Sequence, residues 1–246
     1  MTYIRGIGPV VEAMKAGSRH IERVIVVEGP NHGRLAEIIN QARALGIQVR
    51  REPRAALDRL AGGANHQGVL AVTSTVGYAD ADDLLARTGP DTFLVLLDGI
   101  EDPHNLGAII RTAECAGATA VVIPERRSAH VTETVVKTSA GATEHLPIAR
   151  VTNLATFVDA LKRRGFWIAG IDPGGKTNYT EYDYTGPLAL IFGAEGHGLH
   201  RLVRDKCDVT LSVPMQGKIG SLNVSVTVGV VLFEAIRRRG INPAPA

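Results

Sequence analysis

Residues 209–226 read Val209-Thr210-Leu211-Ser212-Val213-Pro214-Met215-Gln216-Gly217-Lys218-Ile219-Gly220-Ser221-Leu222-Asn223-Val224-Ser225-Val226, and the chain then stays almost wholly apolar as far as Phe233. Val209–Val213 has the composition of a strand, and Pro214 to Gly220 that of a glycine-bearing polar loop. Beyond the loop two readings compete. Val224, Val226, Val228 and Val230 alternate with Asn223, Ser225, Thr227 and Gly229, which is the period of a strand. Against this, Leu232, Phe233 and Ile236 recur at helical spacing, Arg237–Arg239 put cations where a helix C-terminus favours them, and Gly240 suits its cap. The helix is preferred, with Ser221 as the expected N-cap. Ser221 and Asn223 then stand at the mouth of an apolar helix. A polar group there is costly unless hydrogen-bonded, so they form a cap or part of a site.

Upstream, Thr92-Phe93-Leu94-Val95-Leu96-Leu97 is a continuous apolar run, the pattern of a strand covered on both faces of a parallel sheet. A helix (106–116), a strand (120–123), helices (132–138 and 154–163) and strands (167–171 and 188–192) follow it. That alternation is doubly wound α/β architecture. The first half forms a smaller α/β unit. It has a helix at 10–14, a strand at 23–27, and a helix carrying Leu35, Ile38, Ile39, Ala42 and Leu45 that ends at Gly46. A strand (47–50), a short helix (54–60) and a strand (69–73) complete it. Residues 76–91, rich in Gly, Pro and Asp, read as a linker containing a short helix.

The 246 residues carry a net charge of only +2, so no global polyanion-binding surface is expected and any basic patch is local. Candidate patches are Arg50-Arg51, Arg126-Arg127 and Lys162-Arg163-Arg164. Cys115 and Cys207 show no metal or redox spacing and are expected as reduced, buried thiols. No secretory leader and no run approaching ~20 apolar residues is visible, so a soluble cytoplasmic protein with no membrane partner is expected.

Three polar clusters fall at carboxyl ends of strands, where open parallel sheets bind ligands. They are Asp98–Gly107, leading into a helix that carries Arg111; Gly193-Ala194-Glu195-Gly196-His197-Gly198; and the loop before Ser221. The glycine order G-x-x-G-x-G is not the dinucleotide-binding order, which argues against a nucleotide-dependent oxidoreductase. His104, His197 and His200 lack companions at zinc spacing, so they are read as loop histidines and no metal is expected. An arginine beside a sheet end suits a phosphate, although a surface arginine on an amphipathic helix is equally consistent with this helix alone.

Taken together, the three clusters resemble the three motifs of the SpoU (TrmH-like) RNA ribose 2′-O-methyltransferases. The stretches are Asn105–Ala113, Phe192–Leu199 and Val213–Val226. Gly6-x-x-Pro9-Val10-x-Glu12-Ala13 and Asn65-His66-Gln67-Gly68-Val69 resemble the L30e-like substrate-binding domain of rRNA-directed members, especially bacterial 23S rRNA guanosine 2′-O-methyltransferases. The resemblance implies an L30e-like RNA-binding domain at 1–75, a linker at 76–91, a methyltransferase domain at 92–240 and a tail at 241–246. It further implies an α/β knot, a deep trefoil on a mostly parallel sheet, with a helix over 222–238. S-adenosylmethionine is the implied cofactor, and a homodimer acting on RNA the implied assembly.

By the same resemblance, Arg111 helps activate the ribose hydroxyl. Asn105 and Glu195 position it, and Ser221 and Asn223 line its pocket. Gly193, Val213 and Leu222, with Met215 and Gly198, hold the methyl donor. A tRNA substrate, or a non-catalytic role in rRNA binding or ribosome assembly, remain the alternatives.

Overall fold

The computed structural model describes residues 2–16, 21–30, 33–73, 77–194, 196 and 198–240. The chain begins with β1 (Thr2–Arg5), α1 (Ile7–Ala16), β2 (Ile21–Val27), α2 (Arg34–Ala44), β3 (Gln48–Glu52), α3 (Arg54–Ala61) and β4 (Val69–Thr73). It continues through α4 (Ala81–Ala86), β5 (Phe93–Asp98), α5 (Pro103–Cys115), β6 (Ala120–Pro124), α6 (Glu133–Thr138), a 3-10 turn (Ala142–Glu144) and β7 (Ile148–Val151). Next come α7 (Leu154–Lys162), β8 (Trp167–Ile171), β9 (Thr177–Asn178) and β10 (Leu188–Gly193). The chain closes with α8 (Arg201–Arg204), β11 (Val209–Ser212) and α9 (Val224–Arg239). The sequence pattern does not show β1, β7, β9 or α8, which have four residues or fewer each and display no period.

Backbone contacts divide the chain into two units, Met1–Gly77 with Val131–His145, and Tyr78–His130 with Leu146–Ala246. In the first, the sheet runs β1-β4-β2-β3, with β2 and β3 parallel and the other pairs antiparallel. β4 is buried at every position because both faces are covered. Val69 and Ala71 meet the α1/α2 layer, while Leu70 and Val72 pack with Leu57 and Ala61 of α3. The Asn65–Gly68 motif is a turn that organises this unit. Gln67 Oε1 accepts from Ile7 N at 2.9 Å, capping α1, and buried His66 bridges Asp58 (2.9 Å) and Gly68 N (3.0 Å). Residues 131–145, expected within the second half, group with this unit. There His145 Nε2 meets Glu12 Oε2 at 2.7 Å, and that hydrogen bond holds the Glu12 carboxyl below its usual range.

The second unit carries a wholly parallel sheet in the order β7-β6-β5-β10-β8-β11-β9. Its strand β5, flanked by β6 and β10, is buried at all positions, as its apolar run requires. Leu94, Leu96, Ala189 and Ile191 face a layer built from α4, α7 and α8. The alternate residues point to the opposite face, where α5 and α9 pack against each other and against the sheet. Part of the stretch read as a linker belongs to this core, since Leu84 and Leu85 of α4 are buried in it and Ala79 bridges to Ala149.

The closing segment is a helix from Val224. Val224, Val228, Val231, Leu232 and Ala235 are buried, whereas Val226 is half exposed, so the alternating valines divide between two helix faces. The expected N-cap is corrected. Asn223, not Ser221, caps α9, its Oδ1 accepting from Ser225 N at 2.9 Å, while Ser221 lies two residues earlier in the loop. Gly240 ends the helix in the left-handed conformation (φ 66°). Arg239 fastens that end by donating to the carbonyls of Tyr184 (2.7 Å), Gly186 (3.0 Å) and Asp91 (2.9 Å). Cys115, expected buried, is exposed at the last turn of α5, and both cysteines are free thiols.

Candidate active site

The strand order reverses direction around β5, so the loops after β5, β10, β8 and β11 leave the same carboxyl edge of one sheet. Asp98 and Gly193 are register partners at that edge. Here the glycine order of the second motif acquires a reason. Gly198 N donates to Ala194 O at 3.0 Å and the two residues form a bridge, so Ala194 and Gly198 are held against each other at the neck of a tight loop. A methyl group on Gly193 would collide with the carbonyl group of Gly198 and lie 2.5 Å from Leu199 N. Gly196 (φ 77°) and Gly198 (φ 65°) take the left-handed turns that close the loop.

That loop and the one before α9 enclose a cavity of about 530 Å³. Gly193, Gly198, Val213, Met215 and Leu222, the candidate donor-binding residues, all line it, and so does Ser221. Sequence reasoning missed three polar members of the wall, Asp172, Ser212 and Thr227. Asp172 is buried, its Oδ1 accepts from Gly174 N at 2.8 Å, and Arg204 Nη2 lies 3.7 Å away. Its setting, Asp172-Pro173-Gly174-Gly175, has the composition of an ordinary turn. Its position directly after the strand Trp167–Ile171 was the available signal.

A second cavity, about 420 Å³, adjoins the first through shared Ala194 and Val224. Asn105 lines it, and Asn223 Nδ2 donates to Asn105 Oδ1 at 3.0 Å, tying the third motif to the first. Arg111 is placed differently. It is exposed on α5 and lines neither cavity. Six residues separate it from Asn105, which at about 100° per residue sets the two roughly 120° apart around the helix. Glu195 lies outside the described residues, as does His197. Among the described residues no group of His, Cys, Asp and Glu is arranged to hold a metal ion, and no helix is long and apolar enough to cross a membrane.

The donor-side cavity fits an adenosyl-type ligand on its own terms. Its walls are largely apolar (Val213, Met215, Leu222, Val224), its base is backbone with no room for a Cβ at Gly193, and Asp172 supplies a buried carboxylate at the edge.

Comparison with known proteins agrees with this geometry. Residues 92–233 match the SpoU rRNA methylase family, and residues 3–79 match the RNA 2′-O ribose methyltransferase substrate-binding family. The 23S rRNA (guanosine-2′-O-)-methyltransferase RlmB of Xylella fastidiosa is 43% identical over 240 residues, covering 96% of each chain. The SpoU methyltransferase AviRb of Streptomyces viridochromogenes, solved with the cofactor AdoMet (S-adenosylmethionine), superposes with a TM-score of 0.81 at 26% identity, over 96% of this chain and 89% of that one. An AdoMet-bound rRNA methyltransferase from Sinorhizobium meliloti gives 0.81 at 25% identity, over 96% and 86%.

Proposed function

This chain belongs to the SpoU rRNA methylase family, and from that premise we propose that it methylates a ribose 2′-hydroxyl of RNA with S-adenosylmethionine, the acceptor being a guanosine of 23S rRNA. The observation that carries the reading is the meeting of the second and third motifs in one backbone-walled cavity directly beside Asn105. The likeness to a 23S rRNA (guanosine-2′-O-)-methyltransferase over 96% of the chain favours an rRNA substrate over a tRNA.

S-adenosylmethionine supplies, when bound, a methyl group already activated on a sulfonium sulfur. Gly193, Gly198, Val213, Met215 and Leu222 would hold it, with Asp172 at the rim. The chain's own task is then to place the hydroxyl in line and ease the departure of its proton. A guanidinium is almost always charged, so Arg111 acts through charge. It orients the phosphate beside the acceptor ribose, so that a phosphate oxygen takes the hydroxyl proton, and stabilises the developing alkoxide. Asn105, held by Asn223, and Glu195 position the ribose, and Ser221 borders the same space.

The C-terminal segment threads a loop to form a trefoil knot, and the first unit is an L30e-like RNA-binding domain. The return of α9 from beyond β8 to pack on α5 supports the knot. We also propose a cytoplasmic homodimer working without a metal. Exposed Ile219, Leu222, Val226 and Phe233 on and before α9 are apolar surface that a second copy would cover. A dimer would also give Arg111, which lines neither cavity of its own chain, a partner site to serve.

The deciding experiment maps 2′-O-methyl marks in RNA from cells with and without the protein. Loss of one guanosine mark in 23S rRNA is expected, and an unchanged rRNA map with a lost tRNA mark would move the substrate to tRNA. Arg111→Ala is expected to bind donor and RNA normally and lose turnover by about 100-fold or more. Near-normal turnover would remove Arg111 from the mechanism.

A further inference from the structure

The polar lining of the second cavity sorts itself by what is already occupied. Asp102 Oδ1 accepts from His104 N at 2.9 Å as the cap of α5, and Asn105 is engaged by Asn223. Glu101 and Arg127 have exposed side chains, with no hydrogen bond or ion pair among the described residues. His200 is held from two sides by one buried carboxylate. Asp98 Oδ2 accepts its backbone N at 2.8 Å, and Asp98 Oδ1 faces ring Nδ1 at 3.0 Å.

A carboxylate partner puts the proton of the neutral ring on Nδ1, so Nε2 keeps a lone pair. The ring is thus oriented while half of its side-chain surface stays open (50%). Gly99 packs closely under the clamp: at φ 82° a methyl group there would press on His200 Cε1 at 3.1 Å. Arg127 is itself in the left-handed region (φ 56°), a conformation that non-glycine residues rarely keep without a reason.

We propose that this cavity receives the base of the acceptor nucleotide, and that Glu101, Arg127 and His200 select guanine. The assignment rests on the methyl-transfer reading above and extends it to substrate choice. An unstacked RNA base is read on its Watson–Crick and Hoogsteen edges. Guanine offers two neighbouring donors, N1–H and the N2 amine, beside the acceptors O6 and N7. Two acceptors, the Glu101 carboxylate and His200 Nε2, match the donors. The Arg127 guanidinium matches O6 and N7, the pairing that arginine makes with guanine in DNA grooves. Adenine would present the N1 lone pair to the carboxylate and an amine to the guanidinium. Both contacts repel, and a site that leaves its own polar groups unpaired rejects the wrong ligand strongly. The shared wall at Ala194 and Val224 sets this base site next to the donor cavity.

The test uses the full-length protein and an RNA fragment carrying its mapped target, with guanosine, inosine or adenosine at that position. Efficiency (kcat/KM) is measured for each fragment and S-adenosylmethionine binding is measured separately by calorimetry. The wild type is expected to favour guanosine over adenosine by about 100-fold or more, and over inosine, which lacks the N2 amine, by about tenfold. Glu101→Ala, which removes the acceptor altogether, is expected to bring the guanosine-to-inosine ratio close to one. Arg127→Ala should shrink the guanosine-to-adenosine ratio by about tenfold or more. His200→Ala should raise KM for RNA about tenfold, with partial rescue by His200→Gln, which restores an acceptor. Donor affinity stays at the wild-type value in every variant.

Base ratios that stay at wild-type values in all of these variants, with methylation otherwise intact, would overturn the base-site assignment alone. A wild type that methylates no RNA would bring down both readings.

Discussion

The two cavities share Ala194 and Val224 yet are made of different material. The larger is walled by backbone, glycines and apolar side chains, with Gly193 packed so closely on Gly198 that no Cβ fits. The smaller is lined by Glu101, Asp102, Asn105, Arg127 and His200. A ligand that is the same in every catalytic cycle can be held by the shape of the backbone. A ligand that must be chosen among four bases needs side chains whose donors and acceptors can be set individually. The backbone wall therefore has little tolerance for substitution, whereas the polar wall can change one contact at a time.

The largest effect should come from Gly193→Ala. The added methyl must displace the Gly198 carbonyl, so donor affinity is expected to fall at least ~100-fold, with a stability loss of about 1–3 kcal/mol from overpacking. Calorimetric titration and thermal unfolding measure the two, and unchanged donor affinity would break the contrast between the walls. Next comes the far end of α9. Arg239→Ala leaves three backbone carbonyls without their donor and should lower stability by about 1–3 kcal/mol. Donor affinity and base selectivity measured on the folded fraction should not change, because this end lines neither cavity.

Asn223 lines neither cavity but ties the loop bordering the larger one to Asn105 of the smaller, and it gives a finer probe. Asn223→Ala removes the α9 cap, worth about 1 kcal/mol or a few degrees in Tm, and releases Asn105 as well. Asn223→Ser keeps a capping oxygen but is too short to reach Asn105. It should recover the Tm while activity on RNA stays low, and recovery of both would reduce Asn223 to a cap.

The smallest effect concerns pH. Hydrogen bonds from Arg237 and Arg238 hold the Glu234 carboxyl down to about 2, against an ordinary 4.5. The folded form binds this proton more weakly than the unfolded chain does. Its contribution to stability is therefore complete above about pH 4.5 and is lost as the pH falls towards 2. In Tm measurements across that range, Glu234→Gln should show a shallower acid limb than the wild type, an effect that shrinks with added salt.

Much of this was legible in the residues because it depends on local pattern. The apolar run at 92–97 announced a strand buried on both faces, and Arg237–Arg239 with Gly240 announced the end of α9. Three motif loops at strand ends pointed to a single pocket. Other features were hidden because distant chain segments create them. Ser221 and Asn223 are equally plausible caps by composition, and only the backbone angles of the loop chose Asn223. Asp172 looked like part of a turn, and His200 like a loop histidine, because the groups that give them meaning, the Arg204 guanidinium and the Asp98 carboxylate, lie far away along the chain. Residues 131–145 sit in sequence amid the second unit but pack with the first.

By itself, then, the sequence determined the α/β class, most element positions and the motif residues that identify the family. Periodicity, capping chemistry and glycine spacing are local properties, and a reader of the chain has all of them. The tertiary structure alone decided that Gly193, Val213 and Leu222 share one wall, that Asn105 meets Asn223, and that Asp98 turns His200 into an oriented group beside a second cavity. Those relations join residues up to 118 positions apart. Spacing along a chain cannot express a distance that exists only after the strands have paired.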